Sequence, residues 1–170
     1  MSVELPLLLA ACAVAIWTDV RTRKIPNWLT GGLAAGALVF HLPQGWAVTG
    51  AALAAAIVFF VVGTVGHSVG VLGGGDVKLL AAGALAAGYP DCVIFVLYTF
   101  MGGGVLAVVF ALAQGRLRST LVNVRALAQT RTLLAEAVPS ARMPYAIAIA
   151  FGAAAVALAQ TMLPAMRFPT

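Results

Sequence analysis

Charged side chains are what this sequence has least of. Asp, Glu, Lys and Arg make up 9% of its 170 residues, against 62% hydrophobic residues. Soluble domains carry about 25% charged residues, so a water-covered globular surface is excluded. Mean hydropathy is +1.04. The chain reads as an all-α integral membrane protein, because a helix satisfies its own backbone polar groups in lipid. Cysteine is nearly absent as well. Cys12 and Cys92 fall in apolar runs, form no CxxC or zinc pattern, and read as small buried hydrophobes. There are two histidines, His41 and His67, and no GxSxG, which is too little for a nucleophilic triad. A zinc site needs three or four converging His, Cys, Asp or Glu ligands, and no such spacing occurs, so neither metal nor cofactor is expected. The net charge of +5 is read as membrane orientation, with no nucleic-acid partner.

Apolar runs are there in quantity. They cover about residues 5–18, 28–40, 47–65, 77–87, 92–113 and 144–163, separated by DVRTRKIPN, HLPQGW, a glycine-rich stretch, GYPD and a long basic connection. These runs predict about six transmembrane helices in a single membrane-embedded domain, 1–170, with the second and fourth short for a span of roughly 20 residues. The N-terminus lacks the basic n-region of a cleavable signal peptide. If six spans alternate, connections 20–27, 67–78 and 114–143 share one side. They hold nine of the ten basic residues, leaving Arg167 on the other. Lys and Arg concentrate in cytoplasmic loops, so that side is expected to be cytoplasmic. Within the long connection, Leu117, Leu121, Val124 and Ala128 recur at helical spacing with Arg118 and Arg125 on another face. This predicts a cytoplasmic amphipathic helix over about 117–138, lying on membrane lipids.

Carboxylates at membrane depth are costly and need a reason. Of the five acidic residues, Glu4 and Asp91 fall on the outer side and Glu136 among the arginines of the long connection. Asp19 closes the first run and Asp76 opens the fourth, on the same side and at similar depth. Two carboxylates in a partly dry site share a proton and titrate as one unit, the ionised partner acting as base and the protonated one as acid. Other readings of the residues stay open. Asp76 serves equally well as a helix cap, Asp19 as the partner of Arg21, Arg23 or Lys24, and Asp76 at a broken helix as the cation or proton site of a small transporter. Lys78 either brings a cation to the pair or snorkels to the interface.

Two blocks resemble the type IV prepilin peptidase family. DVRTRKIPNWLT, Asp19 to Thr30, is similar to the family's Asp followed six and seven residues later by Ile-Pro and then Asn or Asp, here Ile25, Pro26 and Asn27. GGGDVKLL, Gly73 to Leu80, looks like the family's GxGDxKL block, and MPYAIA, Met143 to Ala148, is similar to a Pro-aromatic-small segment before the last span. The resemblance implies a GxGD aspartyl protease with Asp19 and Asp76 catalytic and Gly73, Gly75, Lys78, Pro26 and Asn27 in support. Its substrate would be a prepilin-like protein with a basic leader and one apolar helix. Cleavage would occur at the cytoplasmic boundary of a bacterial inner membrane. Because Asp19 closes the first run, the chain looks like the short Flp/Tad type, without an evident N-methyltransferase region. The glycines are read as flexible backbone admitting substrate to Asp76, and Pro26 as the helix breaker that shapes the facing loop.

Overall fold

The computed structural model describes residues 4–68, 72–113 and 145–162. Six α-helices appear among them: α1 (Glu4–Thr22), α2 (Asn27–His41), α3 (Trp46–Ser68), α4 (Gly74–Ala87), α5 (Asp91–Ala113) and α6 (Ala146–Met162). They coincide with the six apolar runs. The predicted amphipathic helix over 117–138 lies outside the described residues.

Local chemistry ends each helix. α1 stops where Arg23 takes a left-handed φ of +52° and its N–H closes on the Asp19 carbonyl at 2.9 Å. A residue in this conformation is the usual way to satisfy the last carbonyls of a helix. Pro26, fixed at φ −68°, stands just before α2, where a proline costs no helical hydrogen bond, and its carbonyl accepts from Leu29 at 3.1 Å. HLPQGW forms a 3-10 turn, Leu42–Gln44, and Gly45 at φ +110° turns the chain into α3. The Thr49 hydroxyl donates to the His41 carbonyl at 2.9 Å. His41 itself is 2% exposed, with Nε2 against the Leu85 carbonyl at 2.8 Å. It pins the far end of α2 to the far end of α4.

The packing is organised around α4. This helix touches each of the other five, and Val77, Leu79, Leu80, Ala82, Gly83, Ala84, Leu85 and Ala86 are all buried. A helix that is apolar all round belongs in a core, and AAGALAAG is small enough to let neighbours close on every side. α3 and α5 instead turn large side chains outward, among them Val58, Phe60, Val61, Val62, Leu97, Met101 and Val105. Lipid is the solvent that suits such a surface. Cys12 and Cys92 are buried free thiols in the core cluster, as expected.

Helices α1, α3 and α5 hold stretches long and apolar enough to cross a membrane, Leu5–Thr22, Trp46–Ser68 and Asp91–Val109. The count of six spans is not reached on length. Fourteen residues in α4 and fifteen in α2 make rods of about 21 and 23 Å at 1.5 Å per residue, short of a hydrocarbon core of about 30 Å. α6 is an apolar helix of 17 residues. The sequence marked α2 and α4 as short because Gly and Pro cut both runs.

α5 and α6 form the most extensive pair, and glycine sets their spacing. A Cβ on Gly152 would meet the Phe95 carbonyl oxygen at 2.5 Å, and backbone cannot give way. Gly50, in α3, has open space around it. Gly152→Ala is therefore expected to destabilise the fold by about 1–3 kcal/mol, the usual cost of overpacking, and to lower the melting temperature in detergent by several degrees. Gly50→Ala is expected to leave it unchanged or raise it. Equal melting of the two variants would contradict this account of the α5–α6 seam.

Candidate active site

At the end of the bundle where α1 stops and α4 begins, the structure brings the two sequence blocks together. Asp19 lies in the last turn of α1 and Asp76 in the first turn of α4, each one turn inside its helix. Both are half-buried. They are near enough that the Asp19 charge acts on Asp76.

Each carboxylate is held by a backbone N–H at one oxygen. The Gly73 N–H donates to Asp76 Oδ2 at 3.2 Å, half of a capping box whose other half a glycine cannot supply. The Ala146 N–H, in the first turn of α6, reaches the Asp19 carboxylate. It is one of the donors that a helix start leaves without an internal partner. Two helix N-termini, of α4 and α6, thus face the pair and favour negative charge there. Asp19 Oδ2 and Asp76 Oδ1 are buried with no hydrogen-bond partner among the described residues. Buried carboxylate oxygens are ordinarily satisfied, and an unsatisfied pair on two converging side chains is what a shared proton and a water nucleophile need.

Burial is the largest influence on Asp76 and pushes its carboxyl up to about 6. The neighbouring Asp19 charge pushes the same way, and the Gly73 hydrogen bond opposes both. Tyr145, immediately before α6, also belongs to the site. Burial first and the Asp76 charge second raise its phenol, which keeps it a neutral hydrogen-bond donor. Its ring lies against Gly103 of α5, where a Cβ would come within 2.6 Å of the hydroxyl oxygen. Tyr145 and the Ala146 N–H were not among the site residues read from the sequence. MPYAIA was the only signal, and nothing in its spacing linked it to Asp19.

The supporting residues acquire definite positions. Gly73 is extended at φ −74° and ψ 148°; Gly74 and Gly75 are already helical. None of the three needs the conformational freedom of glycine; what Gly73 and Gly75 supply is lack of bulk. A Cβ on Gly73 would lie 2.7 Å from Asp76 Oδ2, and one on Gly75 would lie 3.1 Å from Ile25 Cβ. Lys78 is exposed and its Nζ donates to Asn27 Oδ1 at 2.9 Å. Neither of its two expected roles named that partner. His67 sits on this side, Nδ1 against the Leu72 carbonyl at 2.8 Å, while His41 and Asp91 belong to the opposite end. Asp91 accepts from Gln160 at 2.6 Å. Arg21 stacks on Trp17 at 3.9 Å and forms no partner for Asp19; the Arg23 charge does act on Asp19.

The model of the type IV leader peptidase family matches residues 6–108, from α1 into α5. The chain belongs to the type IV leader peptidase family. No curated protein and no solved structure matches it. The match includes Asp19 and Asp76 and ends before Tyr145. Membership in a peptidase family fits a pair of opposed carboxylates. It favours the protease over the transporter among the readings that the sequence left open.

Two outcomes follow for this leader peptidase. A group raised to about 6 keeps its proton at pH 5 and loses it above 6. Cleavage that needs one protonated carboxyl is therefore expected to decline as pH rises through about 6, not near 4, where an ordinary carboxyl ionises. A pH–rate profile with its only limb near 4 would contradict the buried, coupled pair. Gly73→Ala is expected to cut cleavage about 100-fold, the scale of a small misplacement of a reacting group, with little loss of melting temperature because position 73 is exposed.

Proposed function

We propose that this chain is an aspartic endopeptidase that removes the leader of prepilin-like, Flp-type proteins at the cytoplasmic boundary of a bacterial inner membrane. The observation that carries the reading is the convergence of Asp19 and Asp76, each with one buried oxygen that has no partner among the described residues, inside the span that matches a leader peptidase family.

In the first step the ionised carboxylate takes a proton from water, and the oxygen of that water attacks the scissile carbonyl carbon. The protonated carboxyl gives its proton to the carbonyl oxygen, so a neutral tetrahedral diol forms and the pair has exchanged its proton. Collapse breaks the C–N bond. The amine leaves with a proton from the newly protonated carboxyl, and the diol returns a proton to the other. Atoms and charge balance, and the pair is restored. Family membership and the pair chemistry together support this over transport at Asp76.

Orientation follows from charge. Arg21, Arg23, Lys24 and Lys78 lie at the dyad end of the described residues, and that end is taken as cytoplasmic. Trp17 and Trp28 are exposed there, and Trp46 and Tyr89 at the other, as aromatic belts at two interfaces would be. On this reading α2, α4 and α6 complete a six-helix, multi-pass domain whose shorter members are sheltered by the longer ones. The substrate's single apolar helix stays in lipid while its leader reaches the pair.

The test is cleavage of a Flp-type prepilin by the purified protein. Asp19→Asn and Asp76→Asn are each expected to lower cleavage at least 1,000-fold, the order reported by removal of an essential acid or base, with membrane insertion unchanged. Asp91→Asn, at the far end, is expected to retain cleavage. Near-normal turnover by either dyad variant would remove the aspartic mechanism.

A further inference from the structure

Lys78 and Asn27 are 51 residues apart in sequence and joined by a 2.9 Å hydrogen bond. The donor is a cation, and both side chains are exposed. Its place is what matters. Asn27 is the first residue of α2, immediately after Pro26, and the connection from α1 is short, running from Arg23 to Pro26. Ile25, in that connection, presses on Gly75 of α4. The Ile25–Gly75 contact and the Asn27–Lys78 bond are two points of one seam. On the α4 side they flank Asp76; on the other side they hold the segment that begins one turn after Asp19.

We propose that Lys78 and Asn27 form a positioning clamp that fixes the separation of the Asp19 and Asp76 carboxylates. The inference rests on the dyad reading above and adds a role that the pair chemistry does not contain. A direct role for Lys78 as counter-ion is disfavoured by helix geometry. Positions two apart on a helix do not share a face, and Nζ is directed to Asn27. The other charged or titratable groups at this end are Arg21, Arg23 and Lys24 at and after the α1 end, His67 of α3 beside Gly74, and Tyr145 before α6, of which Arg23 acts on Asp19. Among the described residues none of them is hydrogen-bonded or ion-paired to the Lys78 or Asn27 side chain.

A clamp makes a prediction that a merely stabilising bond does not. Like-charge coupling splits the two titrations of a carboxylate pair, and the split shrinks as the groups separate. Lys78→Met and Asn27→Ala are each expected to draw the two limbs of the pH–rate profile together and to lower kcat about tenfold. The double variant should do no more than either single one. Asn27→Asp keeps an acceptor for Lys78 and is expected to keep the wild-type limb separation. If Lys78→Met moves the limbs and Asn27→Ala does not, Lys78 acts as a charge and the clamp is refuted. Unchanged limbs in both singles, or additive effects in the double variant, refute it too. Wild-type protein that fails to cleave prepilin would instead refute the peptidase reading. The clamp is then judged on the wild type, the two single variants and the double variant by melting temperature in detergent, where additive shifts overturn it and coupled shifts uphold the bond.

Discussion

Everything at the dyad depends on α4 being buried against the other five described helices. A helix in that position has no freedom to tilt or slide without opening several interfaces at once, because packed interiors resist small displacements. Asp76 sits in its first turn, so the most constrained element of the molecule carries one of the two carboxylates. The cost is that α4 must be made of small and apolar residues. It is also shorter than a membrane is thick, which leaves its polar start as the place where a carboxylate can be both half-buried and reachable.

The second carboxylate comes from a different kind of element. Asp19 ends α1, one of three helices among the described residues long enough to cross a membrane, and its surroundings are assembled from far along the chain. The Arg23 N–H closes on its carbonyl, and the start of α6 supplies the Ala146 N–H to its carboxylate. Two helix starts aimed at two acids stabilise a single negative charge, while burial and mutual repulsion resist a second. The balance of these effects lets the pair hold one proton up to about pH 6, a condition for acting as acid and base in one cycle.

Glycine contributes by absence of bulk at this site. Gly73 leaves room for the Asp76 carboxylate, Gly75 for Ile25, and Gly103 for Tyr145. The same economy appears away from the site, at Gly83 beneath Phe95 and Gly152 against α5. Close approach between helices in lipid relies on such residues, since lipid offers no hydrophobic drive for helices to associate.

The sequence by itself determined the class, the helices and the acids. Runs of apolar residues with 9% charge leave only helices in lipid, and Gly, Pro and polar clusters mark their ends to within a few residues. Asp19 and Asp76 were legible because a carboxylate at the edge of an apolar run is expensive enough to need a purpose. The flanking IPN and GGGD patterns were legible as a family likeness. What the tertiary structure alone decided is who meets whom. The Lys78–Asn27 bond, the Ile25–Gly75 contact, and Tyr145 and Ala146 at the pair all join residues far apart in the chain. Such pairings leave no periodicity in sequence, because they are fixed by how helices pack around α4. The central place of α4 was hidden for the same reason: an apolar run reads alike whether lipid or protein surrounds it.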